Sequence, residues 1–222
     1  MENLKKNQWW NKNGNYKILH KINPIRINFI SKYLSKSIKD HRILDIGCGG
    51  GLMSEPFSLK KARVTGIDEN LGNLNQAKKH AKENSLNINY KCISFDNFYK
   101  KNKIKFDLIL CLEVIEHVQN YKVLLEKVSK ILKPGGVLVV STINRNLKSL
   151  VFAKFFAEYV LNWIPIGTHE FKNFLKPEEI TKILENEKLE IIDIKGMVFN
   201  PIMNKWILSE YKNINYFIVS KK

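Results

Sequence analysis

Three side chains able to handle protons or metals lie within five residues of one another: Glu113, Glu116 and His117. Glu113 and Glu116 are three apart and His117 is four from Glu113, so on a helical turn they share one face. Two carboxylates and an imidazole can hold Mg²⁺ or a similar divalent ion, which would act as a Lewis acid. Without a metal, the same residues make His117 a general base held by Glu113 or Glu116. The plain reading is a helix N-terminus whose acids offset its dipole. His20 and His169 are second candidates, each equally readable as a hydrogen-bonded histidine at a loop corner.

A second cluster is built from backbone. Asp45-Ile46-Gly47-Cys48-Gly49-Gly50-Gly51 follows the apolar stretch Arg42-Ile43-Leu44. Glycines at a strand-to-helix turn admit positive φ and let the chain approach a ligand closely. The dinucleotide fingerprint G-x-G-x-x-G fits Gly47 and Gly49 but meets Leu52 at its third position. Glycines at Gly47, Gly49 and Gly51 after Asp45 follow instead the D-x-G-x-G-x-G pattern of class I methyltransferases, which bind S-adenosyl-L-methionine. Asp68 ends the next strand, where its two oxygens can accept both ribose hydroxyls. Without a ligand, the glycines make only a tight turn and Asp68 caps the following helix.

These residues need a sheet to hold them. Arg42–Ile46, Ala62–Asp68, Ile88–Ile93, Phe106–Leu112 and Val137–Thr142 read as strands. Leu71–Asn84 reads as a helix with Leu71, Leu74 and Ala81 in its apolar stripe. Tyr121–Leu132 reads as another, stopped by Lys133-Pro134-Gly135-Gly136. Lys176-Pro177-Glu178-Glu179 opens a helix to about Glu187, with proline in its first turn. Leu189–Phe199 and Ile214–Ser220 read as strands joined without a helix, hence an antiparallel pair at one edge. The expectation is an α/β fold of class I methyltransferase (Rossmann-like) type. Its doubly wound sheet is mostly parallel with a reversed last strand, and a helical insertion follows the fifth strand.

With 222 residues the chain suits one domain with a real core. The formal charge of +16 points to a polyanionic neighbour, nucleic acid or an anionic membrane surface, or to a lysine-rich composition with no single target. The three cysteines, Cys48, Cys92 and Cys111, form no C-x-x-C pair and read as reduced cytosolic thiols. The N-terminus lacks the apolar core of a signal peptide, and no uncharged apolar run is long enough to span a bilayer. Leu147–Ile164 is mostly apolar, carrying Phe152, Phe155, Phe156, Tyr159 and Trp163 with Lys148, Lys154 and Glu158. Such a helix suits a bilayer interface, the mouth of a lipid-substrate pocket, or packing against the sheet.

Nearly the whole chain resembles the ubiquinone-biosynthesis O-methyltransferases. The resemblance runs through Trp9-Trp10, Leu19–Arg26, Leu44–Pro56, Val64–Asp68 and Cys111–Val118. It is most specific at Ser141–Ser149, Ala157-Glu158-Tyr159 and Gly167-Thr168-His169-Glu170. Asn11 stands where the family usually has Asp, and it receives no role. The resemblance implies methyl transfer from S-adenosyl-L-methionine to phenolic hydroxyls of polyprenylated ubiquinone precursors, with one enzyme serving both O-methylation steps. It carries the donor site to Arg26, Gly47, Asp68 and Leu112, to which the glycine pattern adds Gly49 and Gly51. Arg26 would pair with a carboxylate, plausibly the donor's, and Leu112 would pack on the adenine. Glu113, Glu116 and His117 become the catalytic candidates and, by analogy with eukaryotic relatives, metal ligands.

The implied organisation is an N-terminal helical lid over residues 1–40 and a methyltransferase domain over 41–222, with a substrate- and membrane-facing insertion at about 144–176. The implied partners are the polyprenyl phenol or quinol, an anionic membrane surface and other ubiquinone-biosynthesis enzymes, with no nucleic acid. The implied location is cytoplasmic, peripheral to the inner face of the membrane. A nucleic-acid methyltransferase would suit the charge but should carry an extra RNA-binding module or base-flipping motif, and neither is found. A non-catalytic lipid-binding protein of the same fold would not need Gly47, Asp68 and Arg26.

Overall fold

The computed structural model describes residues 9–145 and 174–222. Its centre is an eight-stranded sheet in the order β3-β2-β1-β4-β5-β8-β6-β7. The strands are β1 (Arg42–Ile46), β2 (Arg63–Asp68), β3 (Asn89–Cys92), β4 (Phe106–Leu112), β5 (Leu132–Ile143), β6 (Glu190–Asn200), β7 (Lys205–Ser209) and β8 (Asn215–Lys221). β1 to β5 run parallel, and β8 is antiparallel to both β5 and β6. The doubly wound sheet with a reversed last strand is therefore present. The expected edge pair is more elaborate: β8 slots between β5 and β6, and β7, a strand the sequence reading lacked, forms the edge.

Both faces are covered, which explains the near-continuous apolar strands. α1 (Lys17–Ser31) and α2 (Ser54–Leu59) bury Ile22, Phe29, Ile30 and Phe57 against Val64, Leu110, Val139 and Phe217 on one face. α4 (Phe95–Lys101), α5 (Tyr121–Ile131) and α6 (Pro177–Asn186) bury Phe98, Leu125, Val128, Ile180 and Leu184 against Ile109, Leu138 and Ile218 on the other. α1, within the segment expected as a lid, is thus part of a core face. α3 (Leu71–Glu83) buries Leu74, Ala77 and Ala81 on Cys48 and Tyr90, while Leu71, expected in its stripe, is 56% exposed. Asn70 and Asn120 cap α3 and α5 by accepting from the N–H groups of Asn73 and Val123. α5 stops at Ile131, and Leu132 starts β5 directly. The Lys133–Gly136 stop is absorbed into that strand, whose register against β4 shifts between Phe106 and Leu108.

Register places the candidate residues. Ile46 pairs with Ile67 on one side and Cys111 on the other, so β1, β2 and β4 end level. Gly47, Asp68, Leu112 and Glu113 therefore emerge at one edge, the carboxyl edge where open α/β sheets bind ligands. Leu112 pairs with Ser141, which brings the end of β5 to the same place.

Candidate active site

At that edge the chain turns through Gly47, Gly49 and Gly51, each in the left-handed region with φ of +68°, +52° and +85°. The close approach is real at Gly47, where an added Cβ would lie 2.5 Å from Val114 Cγ2. At Gly50 it would lie 2.1 Å from the Trp9 ring. Trp9 lies over this loop, its indole N–H donating to Asn73 Oδ1 at 2.9 Å, and Trp10 donates to the Gly50 carbonyl at 2.9 Å. His20, a second candidate, meets the Trp9 carbonyl at 2.8 Å and so fixes this strap. Asp45 beneath the loop is buried and accepts from Ser54 Oγ at 2.6 Å. Burial raises its carboxyl to about 7.

Asp68 is not the helix cap; Asn70 is. The Asp68 carboxylate instead accepts from Gly49 N–H at 2.9 Å and Asn70 N–H at 2.8 Å, one per oxygen. Each oxygen keeps a second lone pair for a hydroxyl. A cleft of about 350 Å³ opens here, with Gly47, Asp68, Glu69, Glu113, Val114 and His117 in its wall. Ile93 and Phe95 supply an apolar wall that no sequence motif marked. Leu112, expected against an adenine, packs with the core under α1, because strand alternation turns it to that face.

Arg26 is 5% exposed although charged. Its guanidinium reaches Glu113 Oε1 at 3.1 Å and Asn23 Oδ1 at 3.4 Å, while its Nε is buried without a partner. A guanidinium offers five donors, so this buried group is only partly satisfied by Glu113 and Asn23. Glu113 also accepts from Ser141 Oγ at 2.8 Å and has φ +55°, an uncommon left-handed conformation for a non-glycine residue that its buried partners hold in place. Ser141 has no role in the sequence reading beyond its place in the family segment; its register opposite Leu112 reveals the contact with Glu113.

The Glu113–Glu116–His117 face does not form as expected. The stretch is a short 3-10 turn, Ile115–His117, preceded by the left-handed Glu113. Glu113 is committed to Arg26 and Ser141, and Glu116 is buried with Oε2 lacking a partner. His117 lies on the exposed side. Among the described residues no three His, Cys, Asp or Glu side chains converge to hold a metal ion. The divalent-ion expectation is not supported among these residues: Glu113 is already ion-paired to Arg26, and Glu116 lies buried beside it in the form that repulsion between the two carboxyls favours, the protonated one. Burial, then the charge of Glu113, holds the Glu116 carboxyl well above the usual range, so its protonated form is favoured. Surrounding protein lowers the His117 pKa, with Glu113 pulling the other way, so the ring is neutral at neutral pH.

A second cleft of about 290 Å³ adjoins the turn, walled by Glu116, His117, Tyr121 and Leu175. His117 and Val118 line both clefts. The ends of the insertion meet at this edge: Leu175 N–H donates to the Ile143 carbonyl at 3.4 Å, and Tyr216 Oη donates to the Leu175 carbonyl at 2.8 Å. Arg145 anchors to Glu179 at 2.6 Å. The apolar Leu147–Ile164 segment and His169 lie outside the described residues.

Comparisons with known proteins agree with this geometry. The family described as "Methyltransferase domain" matches residues 15–194. A ubiquinone biosynthesis O-methyltransferase of Rickettsia bellii is 41% identical over 218 residues, covering 96% of this chain and 90% of the relative. One from Pelagibacter ubique is 42% identical, covering 94% of this chain and 90% of its own. Among solved structures, the magnesium protoporphyrin IX methyltransferase of Synechocystis, with bound SAM, superposes with a TM-score of 0.67 at 15% identity, covering 100% of this chain and 90% of that one. At that identity the likeness is one of fold.

Proposed function

The chain belongs to the ubiquinone biosynthesis O-methyltransferases, and on that premise we propose that it methylates phenolic hydroxyls of polyprenylated ubiquinone precursors at both O-methylation steps. The observation that carries this reading is the shared wall: His117 stands between a glycine- and acid-lined donor cleft and a second cleft fit for an acceptor ring. When bound, S-adenosylmethionine would supply an electrophilic methyl on a sulfonium; the phenolate oxygen would attack that methyl in line as its bond to sulfur breaks, and S-adenosylhomocysteine would leave as the neutral thioether. The glycine loop and Asp68 would seat the donor's adenosine, and Arg26 would act behind the cleft wall by holding Glu113.

A phenol near pKa 10 is a weak nucleophile. His117, kept neutral, accepts the phenolic proton at a ring nitrogen, which generates the phenolate. Glu113, pinned by Arg26 and Ser141, provides a fixed negative charge nearby that favours the imidazolium so formed. Holding the oxygen at roughly 3–3.5 Å from the methyl supplies much of the remaining rate. No step is routed through a metal, because the donor set does not fit one.

The polyprenyl tail of such an acceptor would keep the enzyme peripheral to an anionic membrane. No helix among the described residues is long and apolar enough to cross one. The test is a methylation assay with labelled donor and short-tail precursor analogues. His117→Ala is expected to lower turnover by about 10²–10⁴ with donor binding, followed separately by calorimetry, still detectable. Unchanged turnover would remove His117 from the mechanism, and failure to methylate any phenolic analogue would remove the acceptor class.

A further inference from the structure

β6 and β7 form a hairpin that outruns the sheet. β6 pairs with β8 only as far as Lys195, level with Phe217 and, through it, with Ser141 of β5. Beyond Gly196 the partner is β7 alone, from Gly196 opposite Ser209 to Asn200 opposite Lys205. β6 runs in the same direction as β1 to β5, so its far end leaves the sheet at the edge that carries both clefts. At about 3.3 Å per residue, Val198 to Asn200 carry the hairpin about 10 Å past the end of β5.

The tip is apolar. Ile202 is 95% exposed, Met203 55% and Phe199 46%. Globular surfaces scatter such residues singly; a cluster of them on a projecting turn marks an interaction site. The turn is locally ordered: Asn200 Oδ1 accepts from Met203 N–H at 3.0 Å. Trp206 packs against Phe199 at 5.7 Å one rung below the tip. From Gly196 to Ser209 Lys205 is the one charged residue, Lys195 at the base being paired with Asp193 and Glu210, and the protein as a whole carries a net charge of +16.

We propose that the β6–β7 hairpin tip, Phe199–Trp206, inserts into the interface of an anionic lipid bilayer and holds the cleft edge against it. This rests on the proposed acceptor, whose tail lies in that bilayer. A second protein copy fits less well. Three exposed apolar side chains on one turn cannot supply the about 800 Å² per partner of a standard interface. A bilayer needs no complementary surface: Ile202, Met203 and Phe199 enter the acyl boundary, and Lys205 meets anionic headgroups, while Trp206 anchors the base of the tip to the core.

The full chain is sedimented with phosphatidylcholine vesicles with and without phosphatidylglycerol, and its turnover is followed on a short-tail, water-soluble analogue. The double variant Ile202→Glu, Met203→Glu should weaken partitioning by at least about tenfold with turnover on the soluble analogue unchanged. Lys205→Glu, a milder change, should weaken binding to the anionic vesicles alone. Variants that partition like the unaltered chain overturn the proposal. So does an unaltered chain that ignores vesicles but forms a dimer, by light scattering, that the double variant dissolves. Absence of turnover on the analogue in every form would count against the proposed reaction, while the vesicle result would still judge the hairpin.

Discussion

Arg26→Met should destabilise the protein by about 3 kcal/mol at pH 7, and the structure says why. The substitution keeps an apolar stem of similar length and removes the guanidinium. That group is buried, 3.1 Å from Glu113 Oε1 and 5.3 Å from the centre of the Phe217 ring. Breaking a buried ion pair by deleting one partner costs about 3–5 kcal/mol, because the other charge is stranded. Here the Glu113 side chain keeps 33% exposure and still accepts from Ser141, so water and one hydrogen bond soften the loss. Burial itself also disfavours the arginine charge, so its removal returns part of that penalty. Both effects place the expectation at the low end of the range. For a chain of this size it corresponds to a fall in Tm of about 6–12 °C. Equilibrium urea unfolding, followed by circular dichroism, measures it. A double-mutant cycle with Glu113→Gln isolates the pair and should give a coupling of at least about 1 kcal/mol. A loss below about 1 kcal/mol in Arg26→Met, or zero coupling in the cycle, would falsify the claim that this pair holds the glutamate in place.

Two further outcomes follow from the same edge of the sheet. Glu116 has its carboxyl raised in the folded state, so the folded protein binds that proton more tightly than the unfolded chain does; the resulting stabilisation is present below the ordinary glutamate range and is lost as pH rises through the folded value. Glu116→Gln, which cannot titrate, should therefore gain stability relative to the unaltered protein as pH rises above the ordinary glutamate range, measured as the difference in Tm at each pH; a difference flat with pH contradicts the assignment. Gly47→Ala places a Cβ 2.5 Å from Val114 Cγ2 at φ +68°, and should cost about 1–2 kcal/mol in backbone strain and at least about tenfold in affinity for S-adenosylhomocysteine by calorimetry. Adding Val114→Ala should relieve the clash and leave the backbone strain, and full recovery in that double variant would show that the left-handed turn is not required.

The sequence by itself determined the parallel sheet, the glycine turn and the donor type, because those depend on local rules. Short apolar runs bounded by glycine and acid read as buried strands, and glycine spacing distinguishes one nucleotide loop from another. Gly47, Gly49 and Asp68 were legible in this way, and so was the antiparallel last strand, from two strands with no helix between them. Tertiary structure alone decided what the acids do. Spacing along a helix would put Glu113, Glu116 and His117 on one face, but Glu113 takes a left-handed conformation that its contacts with Arg26 and Ser141 hold. Those partners lie 87 and 28 residues away in the chain, beyond the reach of any periodicity. The same long-range register buries Glu116, leaves His117 at the seam of two clefts, and packs Leu112 against the core under α1. It also carries β6 past its neighbours, which makes an unremarkable Pro-Ile-Met turn the most projecting apolar feature described at the cleft edge.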